Sequence, residues 1–424
     1  MPQLIHGLTP RARYALALAT LFICVWCAIA SARIGLSRLL SEYGSATDSL
    51  EATKRALDFN VSDPAAHYAY AEELANAAKN AEAIAEFDRA ISLRPRDYLL
   101  WQELGRLRED KGDTTGSQLA LQQAIELAPN YSQPHWQLGN LLLRRNEIDN
   151  AFTELRTAVA SDPALFPVMG DLAWGVCDRE VKCVLEATQP KNDNHRLSLG
   201  RLFVAQNQVA AGVTLLLAAS KIAPEDRQEM VAALVEAREF QAAYRVWLEG
   251  VSSKYAQEGD LNDGGFETPM DFDDQGFGWR PAHAQTIHVL LDPNDPQAGT
   301  RSLLLEYAGN FDPAVPVISQ LMLVVPNARY RLSFAARTEG LVSAGLPIVV
   351  VTNAVDHRIV AQSVLLPAGT TGWREFSIDF ETTDTTSAVR VNIQRQACSS
   401  NPCPIVGRAG FDSFSLKHLQ PAAR

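Results

Sequence analysis

The sequence predicts a multidomain α plus β chain: an N-terminal transmembrane helix, an α-solenoid of paired helices, and a C-terminal antiparallel β-sandwich. Three observations predict it. An uncharged run fills residues 14–32, small and large residues recur with one fixed period between residues 64 and 163, and near Asp260 alanine-rich sequence gives way to short β-branched runs broken by Gly, Pro, Asn and Asp. With 424 residues the chain can fill two or three folding units. Its net charge of −11 provides no basic stripe to neutralise phosphates, so nucleic acid is not an expected partner.

The N-terminal element rests on length and flanks. Arg11 and Arg13 precede YALALATLFICVWCAIASA, residues Tyr14 to Ala32, and Arg33 closes the run. A helix of that length rises about 28 Å, one hydrocarbon core. As an uncleaved anchor, residues 1–13 form a short basic cytoplasmic N-terminus, 14–32 cross a bacterial inner membrane once, and the bulk lies in the periplasm. As a signal peptide, the run ends in Ala30-Ser31-Ala32, an acceptable cleavage site, and the chain is secreted. Val25 and Trp26 before Cys27 argue against a lipoprotein signal. Either way the body is exported.

Cysteine usage agrees with export. Cys24 and Cys27 lie in the apolar run; the other four form two close pairs, Cys177/Cys183 and Cys398/Cys403, which read as local disulfides. Zinc would need four ligands at tighter spacing with placed histidines.

The helical solenoid, residues 64–258 after a helical lead-in at 33–63, rests on the repeat. Pro95, Pro129 and Pro163 are evenly spaced. Ala90, Ala124 and Ala158 keep the same interval, as do Ala83, Ser117 and Ala151, and Ala71, Gly105 and Gly139. Phe87, Leu121 and Leu155 recur in register, as do Tyr70, Leu104 and Leu138. Small residues let two antiparallel helices approach closely, large ones fill the space between them, and each proline starts a new unit. After Pro163 the register breaks, then resumes with Gly200, Gly212, Leu216, Ala219 and Pro224, which predicts a further repeat over Asp193–Pro224. Residues 164–192 must then be a shortened unit carrying Cys177 and Cys183, and Glu225–Gly250 a final helical pair.

This pattern resembles the tetratricopeptide-repeat (TPR) family, with Trp101, Leu104, Gly105, Ala124 and Pro129 as signature residues of the second repeat. The resemblance implies a concave groove lined by the first helix of each repeat, which receives a segment of a protein partner. Carried over by register, its lining is Tyr68, Glu72, Asn76, Gln102, Arg106, Glu109, Trp136, Asn140 and Arg144. Polar and aromatic residues together suit an extended or helical peptide. The Lys/Asn set that clamps a terminal carboxylate in some relatives is missing.

The sandwich, residues 259–418 with a tail at 419–424, rests on nine predicted strands: 286–291, 302–307, 317–325, 330–336, 347–352, 359–365, 374–380, 388–394 and 410–416. The segment opens with Asn262-Asp263-Gly264-Gly265-Phe266-Glu267 and Gly278-Trp279, and closes with Gly410-Phe411-Asp412-Ser413-Phe414-Ser415-Leu416. Between them stand Tyr330-Arg331-Leu332-Ser333-Phe334 and Trp373 with Phe376. This layout resembles the jelly-roll carbohydrate-binding modules attached to bacterial glycoside hydrolases. The resemblance implies a structural Ca²⁺ held by Glu267 and Asp412, against ordinary turn hydrogen bonds for the same two residues. It also makes Trp279 and Trp373 core residues and leaves Tyr307 and Gln320 as candidates for a glycan-binding cleft.

Signatures of catalysis are missing. There is no G-x-S-x-G, phosphate loop, H-E-x-x-H or dinucleotide fingerprint, and the eight histidines show no ligand spacing. Asp271, Asp273 and Asp274 lack an EF-hand pattern and read as a solvated loop. The expectation is therefore a non-enzymatic, envelope-associated scaffold. In it the TPR groove binds protein, the jelly roll contacts polysaccharide, and the setting is exopolysaccharide or cell-envelope assembly. One alternative is a carbohydrate-binding protein whose helices only space it from the membrane; another is a glycan-active enzyme.

Overall fold

The structure, a computed structural model, describes residues 10–251, 260–282, 286–398 and 402–419. The start of the basic N-terminus (residues 1–9), the side chain of Arg13, the expected boundary at 258/259 and the tail from 420 lie outside these. The chain divides into two compact units, Met1–Gln189 and Pro190–Arg424.

In the first unit a long helix, α1 (Pro10–Ala46), is followed by α2 (Leu50–Phe59) and three hairpins of near-equal length. These are α3 (Pro64–Asn76) with α4 (Asn80–Leu93), α5 (Tyr98–Asp110) with α6 (Thr114–Leu127), and α7 (Ser132–Arg144) with α8 (Ile148–Ser161). The stretch Tyr14–Ala46 is long and apolar enough to cross a membrane by length and composition. Local chemistry sets the helix starts. Asp63 and Asp97, one repeat apart, each accept the backbone N–H of the second residue after them, and Pro64 occupies the first turn, where its missing N–H costs nothing.

The lead-in is itself a hairpin in register. Ser37 lies one period before Ala71, and Ala56 one period before Ala90; both are fully buried, like Ala124 and Ala158. Arg33 Nε donates to the Phe59 carbonyl (2.9 Å), tying α1 to the end of α2. The period was hard to see here because α1 is far longer than α3 or α5, and Thr53 replaces the large apolar residue of the other repeats.

Past Pro163 the repeat is irregular, as its shortened spacing predicts. A 3₁₀ turn at Pro163–Leu165 leads into α9 (Phe166–Val176) and the short α10 (Val181–Thr188). The Cys177–Cys183 disulfide joins them.

In the second unit α11 (Asp193–Ala205) pairs with α12 (Val209–Leu217), and α13 (Pro224–Glu236) with α14 (Phe240–Leu248). Among the described residues ten strands follow: β1 (Arg280–Pro281), β2 (Ile287–Asp292), β3 (Ser302–Asn310), β4 (Ile318–Leu323), β5 (Arg329–Ser343), β6 (Pro347–Asn353), β7 (Ile359–Gln362), β8 (Gly369–Glu381), β9 (Ala388–Arg395) and β10 (Pro404–Leu419). They form two five-stranded sheets with antiparallel pairings, ordered β1-β4-β9-β6-β7 and β2-β3-β10-β5-β8. β1, a mere dipeptide, had no sequence signal. One apolar core draws on both sheets, with Leu305, Phe334 and Phe411 from one and Ile318, Val349 and Val391 from the other. A second cluster packs Tyr244 and Trp247 of α14 on Phe277 and on Leu321 and Ala388 of the first sheet.

Candidate functional site

The expected groove residues all lie on α3, α5 and α7, the first helices of their hairpins. Most of them are bonded within their own helix, and Arg144 and Glu109 pair between two helices. Tyr68 donates its hydroxyl to Glu72 Oε1 (2.6 Å). Burial, reinforced by that bond, pushes the Tyr68 phenol well above its ordinary range, and the charges of Glu103 and Arg106 on α5 also reach it. Arg106 donates to Glu103 (2.8 Å) and pairs with Asp110 (3.6 Å). One repeat further on, Arg144 of α7 pairs with Glu109 of α5. Asn140 donates to the Trp136 carbonyl (2.8 Å), and the Trp136 ring is half-buried. Asn76 is exposed. Gln102 is buried (6% exposed) rather than open, and its Oε1 has no hydrogen-bond partner. Glu103, absent from the expected set, is the residue that holds Arg106.

Tyr307 and Gln320, expected to face a cleft, are core residues at 4% and 0% exposure. Both stand on strands at positions whose side chains turn inward. Burial pushes the Tyr307 phenol up, beside Arg395, whose guanidinium is held by the Gly345 and Phe311 carbonyls. Gln320 donates to the Asn262 carbonyl (2.7 Å), pinning the opening loop of the sheet region. Trp279 is core, as expected. Trp373 is only half-buried, with the Arg337 guanidinium 5.4 Å from its ring centre.

Glu267 and Asp412 converge on one loop. Glu267 accepts from the Thr300 N–H (2.8 Å) and hydroxyl (2.5 Å), and the hydroxyl bond leads the interactions that lower its carboxyl pKa. Asp412 sits in a β-bulge of β10, and its Oδ2 accepts the N–H groups of Gln297 (2.8 Å) and Ala298 (3.1 Å). The two carboxylates thus clamp residues 297–301 through N–H and O–H donors. Among the described residues no three His, Cys, Asp or Glu side chains gather as metal ligands. Cys398 and Cys403 are bonded, just ahead of β10.

Comparison with known proteins bears on the helical part. Residues 98–131, which contain α5 and α6, match the family model of the tetratricopeptide repeat. This stretch is a tetratricopeptide repeat. Among curated proteins, the BBSome complex member bbs-4 of Caenorhabditis elegans is 34% identical over 82 residues, 19% of this chain and 18% of that protein. The chain therefore spans less than a fifth of that relative's length. Similar solved structures include MamA from Desulfovibrio magneticus RS-1 (16% identity, TM-score 0.30, 45% of this chain and 92% of that one). They also include YrrB, described as a TPR protein with an unusual peptide-binding site (16%, 0.28, 51% and 90%), and PilF of Pseudomonas aeruginosa (14%, 0.28, 52% and 90%).

The repeat register also explains two His–Glu pairs that sequence reasoning passed over. His67 Nδ1 lies 2.6 Å from Glu86 Oε2 and its Nε2 2.8 Å from the Val61 carbonyl. Two repeats on, His135 stands 2.6 Å from Glu154 and 3.0 Å from the Pro129 carbonyl. Between them the same position is Trp101, whose indole N–H reaches the Pro95 carbonyl (3.0 Å), at the same offset back along the chain. The position ties each first helix to the turn before it. The available signal was the spacing of His67 and His135 by two periods, with Glu86 and Glu154 following them at one common offset.

Proposed function

We propose that this chain is a non-enzymatic interaction protein of a bacterial envelope. In this reading α1 anchors it in the inner membrane and the body lies in the periplasm. The groove along α3, α5 and α7 receives an extended or helical segment of a partner protein. The observation that carries the reading is the row of polar side chains fixed across successive repeats: Tyr68 and Glu72, then Arg106, then Glu109 with Arg144. Side chains held in place before binding lose little freedom on complex formation. Beside them Trp136 retains open aromatic surface, the kind that anchors a partner in a groove.

For the sheet region, a jelly roll is supported by strand order. Setting aside the added edge strands β1 and β2, the two sheets run β3-β10-β5-β8 and β4-β9-β6-β7, the arrangement that two interleaved Greek keys produce. A setting in exopolysaccharide or cell-envelope assembly would give the protein-binding and sugar-facing modules a common purpose.

The groove is tested by crosslinking in intact cells with a photoreactive residue at Asn76. A partner protein should be captured by the wild-type groove and lost from a Trp136→Ala/Arg106→Ala variant that is equally abundant. Capture of the same partner by both proteins would refute the groove.

A further inference from the structure

Arg395, the last residue of β9, is a buried cation with no anion beside it. It is 1% exposed, and a guanidinium keeps its charge inside proteins. Among the described residues all its bonds go to uncharged acceptors. Nε donates to the Gly345 carbonyl (3.1 Å) and Nη1 to the Phe311 carbonyl (2.7 Å). Nη2 donates to Ser343 Oγ (2.8 Å) and to Cys403 Sγ (2.9 Å). The other titratable group that reaches it is Tyr307; burial pushes that phenol up, so it stays neutral and supplies no counter-charge. Burial also pulls the guanidinium below its ordinary range. A buried charge left uncompensated is among the costliest features a core can hold.

The sulfur that Arg395 touches belongs to the Cys398–Cys403 disulfide, and its two halves differ. Cys403 is buried (5% exposed), its N–H donates to Asn310 Oδ1 (3.1 Å), and β10 begins at the next residue. Cys398 lies beyond the end of β9 and is only half-buried. Gly345 closes one side of the bridge: a Cβ there would stand 2.9 Å from Cys398 Sγ and 3.3 Å from Cys403 Sγ. An incoming reagent therefore meets Cys398, and Cys403 is the sulfur that leaves.

In thiol–disulfide exchange one sulfur departs as a thiolate, faster the better that thiolate is stabilised. A neighbouring Arg stabilises it. Here the departure also creates the anion that Arg395 lacks. The closed bridge leaves the guanidinium unpaired, and the open one pairs it. Stabilising the reduced form in this way makes a disulfide more oxidising.

We propose that Cys398–Cys403 is an exchange site for a dithiol, opened by attack on Cys398 with Cys403 leaving as a thiolate paired to Arg395. A thiolate of the dithiol bonds to Cys398 Sγ as the Sγ–Sγ bond breaks, and the electron pair of that bond goes to Cys403. The dithiol's second thiolate then displaces Cys398, which takes a proton from solvent. The dithiol is oxidised to its own disulfide, and the protein pair is reduced by two electrons. Of the two protons the dithiol gives up, one ends on Cys398 and one stays in solvent, because Cys403 takes none. The site depends on neither the groove nor the anchor.

That proton count is what the test reads. The full chain in detergent is equilibrated with mixtures of reduced and oxidised dithiothreitol from about pH 5 to pH 7, where ordinary thiols stay protonated. After acid quenching and alkylation, mass spectrometry counts open and closed Cys398–Cys403. The exchange constant should rise with pH, approaching roughly ten-fold per unit by mass action on the released proton. Two protonated cysteines would give a constant that ignores pH. Arg395→Gln should remove the slope and lower the constant near pH 7 by about ten-fold. A flat profile in the wild type, or an unchanged slope in folded Arg395→Gln, would overturn the proposal. If Arg395→Gln does not fold, Cys398→Ser and Cys403→Ser decide, since each leaves one cysteine of the pair. Ultraviolet thiolate absorbance should persist to lower pH in Cys398→Ser, and matching titrations of the two variants would overturn the proposal as well.

Discussion

Gly139→Ala sets two effects of similar size against each other, and the structure says which wins. Gly139 lies mid-way along α7, where alanine is favoured over glycine by about 1 kcal/mol. A Cβ there would stand 2.7 Å from Leu155 Cγ, 2.8 Å from its Cδ2 and 3.2 Å from the Ala151 carbonyl. Carbon atoms prefer about 3.5–4.0 Å, so α7 and α8 must separate by most of an ångström or Leu155 must leave its rotamer. Leu155 is fully buried, and overpacking such a site costs about 1–3 kcal/mol. The clash should therefore exceed the propensity gain and lower stability by ~1 kcal/mol, or about 2–4 °C in melting temperature for a unit of this size. Gly35 of α1 has nothing within 4 Å of its would-be Cβ, so Gly35→Ala should leave stability unchanged or raise it. Thermal unfolding of both variants by circular dichroism provides the measurement. The first full repeat supplies a second control, since it carries Ala71 opposite Phe87 where later repeats have Gly opposite Leu. Gly139→Ala with Leu155→Phe copies that pair and should be less destabilised than the two single changes together. If Gly139→Ala raises the melting temperature as Gly35→Ala does, the close-approach account of the repeat is wrong.

Two further outcomes follow from carboxylates held by specific partners. His67→Ala leaves Glu86, with its side chain 9% exposed, to Arg89 alone, and removal of one partner from a buried pair costs about 3–5 kcal/mol; His135→Ala should cost less because Glu154 is 27% exposed. Urea titrations rank the two, and an equal or reversed order would show that burial does not set the cost. At the sheet region, the clamp made by Glu267 and Asp412 should be indifferent to calcium, with equal melting temperatures in EDTA and in millimolar Ca²⁺. A stabilising shift that Asp412→Asn abolishes would establish the calcium site that the jelly-roll resemblance implies.

How far the sequence could be read depended on how much of each signal was periodic. The helix pairs were legible from Ala90, Ala124, Ala158 and the glycines facing them, because close packing demands small residues at fixed intervals. Even the hairpin formed by α1 and α2 carried the code in Ser37 and Ala56, though an apolar run and a lengthened first helix masked it. The strands were legible as β-branched runs between turns. Which face of a strand a residue takes was not, and Tyr307 and Gln320 failed for that reason. A polar residue on a predicted strand reads as outward, yet Gln320 points inward because its amide has the Asn262 carbonyl to bond.

The continuity of α1 bears on what the groove can reach. The helix is unbroken from Pro10 to Ala46, so an anchor at residues 14–32 and the first hairpin would share one rod. From Arg33 to Ala46 the rise is about 20 Å. The last turns of α1, at Ser41, Glu42 and Ser45, line a depression together with Ala65 and Tyr68 of α3. The proposed groove would therefore begin on α1 itself, within that distance of the end of the apolar run. Because α1 is continuous, an anchor at residues 14–32 would keep the first repeat from swinging out to meet a distant ligand. In the reading proposed above, a partner segment that contacts Tyr68 and Glu72 must lie close to the membrane surface. That geometry favours the membrane-proximal part of another anchored protein, and places Trp136, two repeats further along the chain, beyond the first contact.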